Sequence, residues 1–336
     1  MKLKLIQVGL GGMGTFIAQD FIIPSPDYEY AGLVEMNSER LEYVSNVLKV
    51  AQTNCYTDYE QAFQQLEADV VFVSAFSPAH YKICKAALEN NLHVLVEKPF
   101  VLKIEEAKEL VALASSKKLK LMVNQNYRFF HSVLTLKKTI TDKVVGDPTF
   151  VQTEFFFDHN GRPYQREMED YMLLEMAVHH IDMMRFLFDS NISSVNGKTW
   201  NEPESGYIGD PNVQATYELE SGLPIFYLGS LISKGKITPW EGVWRVQCEQ
   251  GSIHLDDLGD GYGVYVVDAN QHKTKVNVEF ESPDGIHGSL AHFAKAIRED
   301  FQPITSGVDN LKTLAALFAT SASSKEQIII SPTTIV

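Results

Sequence analysis

The sequence predicts two domains: an α/β domain with a parallel sheet over residues 1–125, and an α+β domain with a large, mainly antiparallel sheet over residues 126–336. Over the first ~125 residues, short apolar runs alternate with helix-like segments, which is the pattern of a parallel sheet covered on both faces. After Pro148, strand-like segments follow one another with turn residues between them. A chain of 336 residues, of which 45% are hydrophobic and 21% charged, is long enough for a core in each domain.

In the first domain, predicted strands alternate with predicted helices, with two helices after the second strand and none after the fifth. The strands are expected at Leu3–Val8, Tyr30–Val34, Val70–Ser74, His93–Val96 and Lys120–Asn124. The helices are expected at Gly12–Ile22, Ser38–Leu48, Thr57–Gln65, Pro78–Asn90 and Ile104–Ser115.

The second domain combines strands with one long helix that precedes most of them. Strands are expected at Thr149–Phe157, Val213–Leu219, Ile225–Ile232 and Trp244–Gln250. Helices are expected at Tyr171–Phe188, His287–Glu299 and Val308–Ser323. The sequence leaves open whether the last two helices pack back on the first domain.

The composition argues against several classes of partner. A formal charge of −14 disfavours nucleic acid or an anionic membrane surface, because both attract clustered Lys and Arg. The three cysteines, Cys55, Cys84 and Cys248, are far apart and odd in number, so neither a disulfide framework nor a CxxC metal site is predicted. The chain enters its first strand without a secretory leader, and no run reaches the ~18 apolar residues that span a bilayer. We therefore expect a cytoplasmic protein without a bound metal.

A glycine-rich turn joins the first predicted strand to the first predicted helix. Its residues, Gly9-Leu10-Gly11-Gly12-Met13-Gly14, fit the pattern G-x-G-x-x-G. The first glycine of this pattern permits a tight turn, the second lets the backbone approach a pyrophosphate, and the third allows close packing of helix on strand. The phosphates lie at the N-terminus of the helix in such sites. Taken alone, the motif also fits a plain structural turn.

Glu35 favours a dinucleotide-binding Rossmann domain over a plain turn. It ends the second predicted strand, 21 residues after Gly14, where a carboxylate accepts hydrogen bonds from the adenosine ribose. The same carboxylate repels a 2′-phosphate, and neither Arg nor Ser follows it directly, so NAD is favoured over NADP. Arg40 keeps NADP open, because it can reach a phosphate instead of pairing with a neighbouring glutamate.

Four further motifs follow the glycine-rich turn. They are Ser74-Ala75-Phe76-Ser77-Pro78-Ala79-His80, Glu97-Lys98-Pro99, Asn126-Tyr127-Arg128-Phe129 and Glu175-Met176-Ala177-Val178-His179-His180-Ile181-Asp182. With the turn, they resemble the glucose–fructose oxidoreductase and inositol dehydrogenase (Gfo/Idh/MocA) family over nearly the whole chain. The resemblance implies an NAD(P)-dependent oxidoreductase. The cofactor-binding residues that it implies are Gly9, Gly11, Gly12, Met13, Gly14, Glu35, Arg40, Ser74, Ala75, Phe76, Pro78, His80, Glu97, Lys98 and Asn126.

The resemblance also implies that Lys98, Glu175 and His179 serve the chemistry. This chain has Glu175 where the family usually has Asp. On an α-helix, Glu175 and His179 share one face with Asp182, whereas His180 points about 100° away. A carboxylate there orients the imidazole and raises its basicity. By themselves, these residues also fit a structural histidine, and Lys98 also fits a solvated ion pair with the preceding glutamate.

We expect hydride transfer between the nicotinamide and a secondary alcohol or ketone of a sugar, polyol or inositol-like substrate. In this reaction His179 removes the hydroxyl proton and Lys98 stabilises the oxyanion. Two other classes stay open: a sugar hydrolase or isomerase that uses NAD transiently, and a redox-silent protein that binds dinucleotide or sugar. The expected substrate-binding residues are Lys98, Arg128, Asp158, Tyr164, His179, His180 and Trp240.

Some of these substrate-binding residues have structural alternatives. Arg128 also fits an ion pair between domains, the loop at 158–164 an ordinary surface loop, and Trp240 a packed core residue. We further expect a homodimer or homotetramer through the sheet of the second domain, although burial within one chain explains the candidate residues equally well. These candidates are Phe155, Phe157, Tyr227 and the predicted strand Ile225–Ile232.

Overall fold

The computed structural model describes residues 1–257, 259 and 261–336. They form two compact units. The first unit contains Met1–Asn126 and Ser282–Leu311, and the second contains Tyr127–Glu281 and Lys312–Val336. The chain therefore returns once to the first unit before it ends in the second.

Most predicted strands and helices lie within a few residues of their expected bounds. The strands of the described residues are β1 (Leu3–Val8), β2 (Tyr28–Val34), β3 (Cys55–Tyr56), β4 (Val70–Val73), β5 (His93–Val96), β6 (Leu121–Val123), β7 (Pro148–Phe156), β8 (Ile192–Trp200), β9 (Asn212–Leu219), β10 (Pro224–Ser230), β11 (Val243–Cys248), β12 (Gly251–Asp257), β13 (Tyr262–Asp268) and β14 (Lys273–Lys275). The α-helices are α1 (Gly12–Ile17), α2 (Ser38–Leu48), α3 (Tyr59–Gln65), α4 (His80–Glu89), α5 (Ile104–Ser116), α6 (His131–Thr141), α7 (Pro163–Arg166), α8 (Val178–Leu187), α9 (Gly285–Arg298) and α10 (Gly307–Glu326). A π-helical segment, Ala18–Ile22, follows α1, and a second one, Leu173–Ala177, precedes α8.

The first unit is a Rossmann domain. Among its described residues, six parallel strands form one sheet in the order β3-β2-β1-β4-β5-β6. The central strand β4 is buried along its whole length, as expected for a strand with helices over both faces of its sheet. The predicted parallel α/β domain is confirmed. The edge strand β3 was not predicted, because two residues are too few to show a periodic pattern.

The segment 282–311 belongs to the first unit. It lies within the predicted second domain, 126–336, for which packing of the last helices on the first domain was left open. The Tyr28 hydroxyl donates a hydrogen bond to the Leu290 carbonyl at 2.7 Å. The Val123 N–H donates to the Thr305 carbonyl at 2.9 Å. These contacts attach the segment to β2 and β6, which local sequence patterns do not reveal. Helix α10 begins in this segment and continues into the second unit.

The second unit contains a large, mainly antiparallel sheet, and this prediction is also confirmed. Among its described residues, eight strands follow the order β14-β13-β12-β11-β7-β10-β9-β8. Of these neighbours, β7 and β10 run parallel. Side chains alternate along β9 and β10 between a buried face and an exposed one. The buried face packs on helices, as shown by the 3.2 Å contact between Tyr217 of β9 and Thr320 of α10.

The same alternation decides which side chains of this sheet can meet another molecule. Phe155 and Tyr227 are buried on the helix side, so they cannot form the subunit contact for which they were candidates. Phe226 and Leu228 lie on the opposite face of β10 and are 46% and 38% exposed. The ring of Phe150 lies edge-on to that of Phe226, with centroids 6.5 Å apart. We call Phe150, Phe226 and Leu228 the outer sheet patch.

Candidate active site

Loops at the carboxyl end of the parallel sheet carry the cofactor motifs of the first unit. The motifs follow β1, β2, β4, β5 and β6, and parallel strands end at one edge of their sheet. Backbone hydrogen bonds join neighbouring strand ends, for example from the Glu97 N–H to the Val73 carbonyl at 2.9 Å. We call this set the carboxyl-edge cluster: Gly9–Gly14, Glu35, Arg40, Ser74–His80, Glu97–Pro99 and Asn126.

The three motif glycines of the turn have different surroundings. Gly9 has φ +94°, and a Cβ there would lie 2.3 Å from the backbone nitrogen of Ala75. A Cβ on Gly14 would lie 2.4 Å from the Gly9 carbonyl oxygen. At Gly11, a Cβ would meet no protein atom within 4 Å. Gly9 and Gly14 are therefore needed for the fold itself, whereas Gly11 leaves space that a ligand can enter.

A buried polar network, which was not predicted from the sequence, holds the glycine-rich turn. The Gln7 amide donates to the Gly14 carbonyl at 2.8 Å and to the Ser74 hydroxyl at 2.9 Å. Ser74 donates in turn to the Gly9 carbonyl at 2.7 Å. Tyr30 donates to the other end of the Gln7 amide at 2.6 Å. A glutamine within the apolar strand Leu3–Val8 was the available signal, because a buried amide requires partners.

Glu35 and Arg40 both contact the turn. The Glu35 carboxylate accepts hydrogen bonds from the N–H groups of Leu10, at 2.9 Å, and Asn37, at 3.1 Å. Arg40 donates from Nε to the Leu10 carbonyl and, at 3.0 Å, to the Thr15 hydroxyl. Arg40 thus braces the turn instead of forming the surface pair with a neighbouring glutamate that the sequence left open.

The buried ring of His80 connects the loop after β4 with the loop after β5 through backbone carbonyls. Its Nε2 lies 2.9 Å from the Ala75 carbonyl, and its Nδ1 lies 2.9 Å from the Pro99 carbonyl. Burial lowers the pKa of the imidazole below its ordinary value. Cofactor binding by His80 stays a prediction. Phe76 and Pro78 of the same motif are exposed, and Ala75 is half-buried.

Glu97 and Lys98 follow β5 at the same edge. The Asn124 amide donates to the Glu97 carboxylate at 2.5 Å, and Ser289 of α9 donates to the Asn124 amide oxygen at 2.7 Å. Glu97 is therefore anchored, and both Glu97 and Lys98 are half-buried. The Lys98-Pro99 peptide bond is cis. Asn126, half-buried, begins the 3-10 turn after β6.

In the second unit, His179 is the second residue of α8. It is 4% exposed, and its ring stacks on that of Tyr127 with centroids 4.1 Å apart. Glu175 lies one turn earlier, in the π-helical segment, where a turn holds more residues than in an α-helix. The α-helical spacing used to place Glu175 beside His179 therefore applies only from Val178 onward. Single π-helical turns occur frequently at functional sites.

Arg128 is occupied by a buried ion pair within the second unit. Its Nε and Nη2 donate to the two carboxylate oxygens of Asp182, both at 2.6 Å. The Thr313 hydroxyl donates to the same carboxylate at 2.8 Å. Arg128 is 5% exposed and Asp182 is 1% exposed. These residues fasten the 3-10 turn to α8. The ion pair lies within the second unit, and substrate binding by Arg128 stays a prediction.

His180 is also structural, and Trp240 stays exposed beside it. His180 is fully buried, with Nδ1 2.8 Å from the Tyr227 hydroxyl and Nε2 3.0 Å from the Trp240 carbonyl. Burial lowers the pKa of His180 to about 4, so the ring is neutral at neutral pH. The substrate-binding role of His180 stays a prediction, and both of its ring nitrogens already have protein partners. The Trp240 ring is 43% exposed and packs 4.5 Å from Phe157.

The loop at 158–164 is held by two tyrosines. His159 Nδ1 lies 2.5 Å from the Tyr171 hydroxyl, and the rings of Tyr171 and Tyr207 stack with centroids 4.7 Å apart. Asp158 and Tyr164 are exposed on this loop. The contact with Tyr207 was not predicted from the sequence, because Tyr207 lies far from the loop in the chain. An exposed loop on a fixed aromatic base suits a polar ligand.

Each unit offers its own polar groups. The carboxyl-edge cluster of the first unit has an open backbone turn at Gly11, the Glu35 carboxylate and the Lys98 amine. The second unit has the His179 imidazole on α8. Among the described residues, no three His, Cys, Asp or Glu side chains gather as a metal site would require. In this same part of the chain, no helix is both long and apolar enough to cross a membrane.

Two models of one protein family match the chain. Residues 3–125 match the model described as the oxidoreductase family with an NAD-binding Rossmann fold. Residues 133–254 match the model of the GFO/IDH/MocA C-terminal domain. Together they cover most of both predicted domains.

Individual relatives resemble the chain over most of its length. The D-apiose dehydrogenase of Paraburkholderia graminis is 24% identical over 315 residues, which is 89% of this chain and 81% of the relative. The scyllo-inositol 2-dehydrogenase (NAD(+)) of Bacillus subtilis is 24% identical over 324 residues, or 92% of this chain and 90% of the relative. The crystal structure of an oxidoreductase from Agrobacterium radiobacter in complex with NAD+, L-tartaric acid and magnesium superposes with a TM-score of 0.88, at 19% identity and 100% coverage of both chains.

Proposed function

Because the chain belongs to the Gfo/Idh/MocA family of sugar and polyol oxidoreductases, we propose that it is an NAD(P)-dependent dehydrogenase acting on CH–OH groups. Its substrate is a secondary alcohol, or the matching ketone, of a sugar, polyol or inositol-like ring. The observation that supports the proposal most strongly is the glycine-rich turn. Gly11 leaves open space there, and the neighbouring Leu10 N–H donates a hydrogen bond to the Glu35 carboxylate. The names of the apiose and inositol dehydrogenases support the substrate class.

NAD is the cofactor that the carboxyl-edge cluster fits best. The open space at Gly11 admits a pyrophosphate against the backbone, and Glu35 offers carboxylate oxygens to ribose hydroxyls. A 2′-phosphate beside Glu35 is disfavoured by charge repulsion. Arg40 is the residue that could offset this repulsion, but two of its N–H groups already donate hydrogen bonds to Leu10 and Thr15. The nicotinamide, when bound, accepts or donates the hydride.

Three side chains carry the proton and charge chemistry in this proposal. Lys98 donates a hydrogen bond to the reacting oxygen and stabilises its negative charge. His179 takes the hydroxyl proton during oxidation and returns it during reduction. Glu175 orients the imidazole. Trp240 and the loop at 158–164 contact the sugar, since an exposed ring and exposed polar groups suit its apolar and hydroxylated faces.

The test is an assay of sugars, polyols and inositols with NAD and NADP separately, following absorbance of the reduced nicotinamide. Lys98→Ala and His179→Ala should each bind dinucleotide and lose turnover by about 10²- to 10⁴-fold. The exposed residues Lys103 and His272 provide matched controls as alanine variants. Wild-type rates in either test variant remove that residue from the mechanism. Turnover without net NADH favours transient oxidation by a hydrolase or isomerase.

We also propose that copies of the chain associate through the outer sheet patch. Phe226 and Leu228 are exposed on one face of β10, and the half-buried Phe150 of β7 lies beside Phe226. Apolar side chains grouped in this way are typical of the centre of a subunit contact. A homodimer or homotetramer in the cytoplasm stays a prediction.

A further inference from the structure

Tyr127 forms a close, parallel stack with His179. The ring centroids are 4.1 Å apart and the ring planes differ by 9°. Tyr127 is 7% exposed and His179 is 4% exposed, so the stack is buried. An imidazole covered on one face at this distance cannot flip or tilt without moving the phenol ring.

The stack is built into the second unit at two further points. The 3-10 turn that carries Tyr127 is fastened to α8 by the ion pair between Arg128 and Asp182, three residues after His179. Phe130 also packs against the Tyr127 ring, with centroids 5.0 Å apart. The phenol ring therefore has a fixed position relative to the helix that bears the imidazole.

We propose that Tyr127 is a positioning residue, whose ring holds the His179 imidazole in the orientation needed for proton transfer. This inference rests on the role of His179 in the proposed function. The ring rather than the hydroxyl performs the task. Burial raises the pKa of the Tyr127 hydroxyl above its ordinary range, so the group stays protonated and takes no part as a base.

The test compares Tyr127→Phe, which keeps the ring, with Tyr127→Leu, which removes it, in the full chain. Loss of orientation affects the chemical step, so kcat should fall about 10- to 100-fold in the leucine variant while KM changes little. The phenylalanine variant should keep kcat within about twofold. Tyr265→Leu is a matched control, because Tyr265 stacks on His254 in the same unit with centroids 4.6 Å apart.

NMR of histidine ring protons tests the stack without any turnover. The His179 signals, assigned by their absence in His179→Asn, should be shifted upfield by the phenol ring in the wild type. They should keep this shift in Tyr127→Phe and lose it in Tyr127→Leu. Unshifted wild-type signals, a folded leucine variant with wild-type kcat, or equal losses in both variants would overturn the proposal. Wild-type turnover in His179→Asn refutes the proposed role of His179 instead, and leaves the NMR result to decide the stack.

Discussion

Alanine substitutions at Gly14 and Gly11 separate the packing of the glycine-rich turn from dinucleotide binding. In Gly14→Ala, the new Cβ would lie 2.4 Å from the Gly9 carbonyl oxygen and 2.8 Å from the Ser74 hydroxyl oxygen. Ordinary van der Waals contact begins near 3.4 Å, so α1 must move away from the turn by about 1 Å. Overpacking of this kind costs ~1–3 kcal/mol of unfolding free energy, or a few degrees in Tm.

Gly11→Ala is the matched control for stability. Its Cβ meets no protein atom within 4 Å, and Gly11 has φ −60° and ψ −173°, which any residue adopts. We expect an unchanged Tm, or a gain of up to about 1 kcal/mol because alanine restricts the unfolded chain. The methyl group would nevertheless occupy the space assigned to the pyrophosphate. NAD affinity should therefore fall by about tenfold or more, which is at least ~1.4 kcal/mol.

Differential scanning calorimetry and titration calorimetry with NAD measure the two effects on the same full-length variants. The expected outcome is a lower Tm for Gly14→Ala and weaker NAD binding without loss of Tm for Gly11→Ala. Wild-type NAD affinity in Gly11→Ala would refute the approach of the pyrophosphate to this backbone. A wild-type Tm in Gly14→Ala would refute the packing argument.

Two other predictions concern the second unit. Burial lowers the pKa of His180 to about 4 from its ordinary 6.5. Above pH 6.5 the imidazole is neutral in both the folded and the unfolded chain, so it does not reduce the free energy of unfolding. As the pH drops towards 4, the unfolded chain binds the proton more readily, and the free energy of unfolding falls by about 3 kcal/mol. Urea unfolding near pH 7.5 and near pH 5 should show a loss about 2 kcal/mol larger in the wild type than in His180→Gln, and equal losses would contradict the assignment. Combined Phe226→Ser and Leu228→Ser substitutions should convert oligomers to monomers, as measured by light scattering. The control Gln214→Ser, at an exposed position on neighbouring β9, should leave the mass unchanged. An unchanged mass in the double variant would exclude the outer sheet patch as the subunit contact.

Much of the fold follows from local patterns in the sequence. Apolar runs of strand length alternating with helical segments predict the parallel sheet, because both of its faces are covered. The glycine spacing predicts the tight turn at Gly9 and the close packing at Gly14, since both depend on a missing Cβ. The wider helical turn before His179 was not predicted, because a single π-helical turn changes the spacing by about one residue.

The roles of polar residues depend on partners that are distant in the chain. His180 and Arg128 lie in motifs that imply ligand contact. In the structure, however, His180 contacts the Trp240 carbonyl, and Arg128 donates a hydrogen bond to Asp182. The structural role of Gln7 becomes visible only through its hydrogen bond with Ser74. That of Asn124 becomes visible only through its hydrogen bond with Ser289, which lies 165 positions away.

The sequence by itself determined the order of the elements, the two kinds of sheet and the location of the glycine-rich turn, because these depend on residue periodicity and backbone sterics. Only the tertiary structure decided which polar side chains are engaged by other protein groups, and that residues 282–311 return to the first unit. The physical reason is that burial and hydrogen bonding arise between segments far apart in the chain, and neither leaves a periodic signal in the sequence.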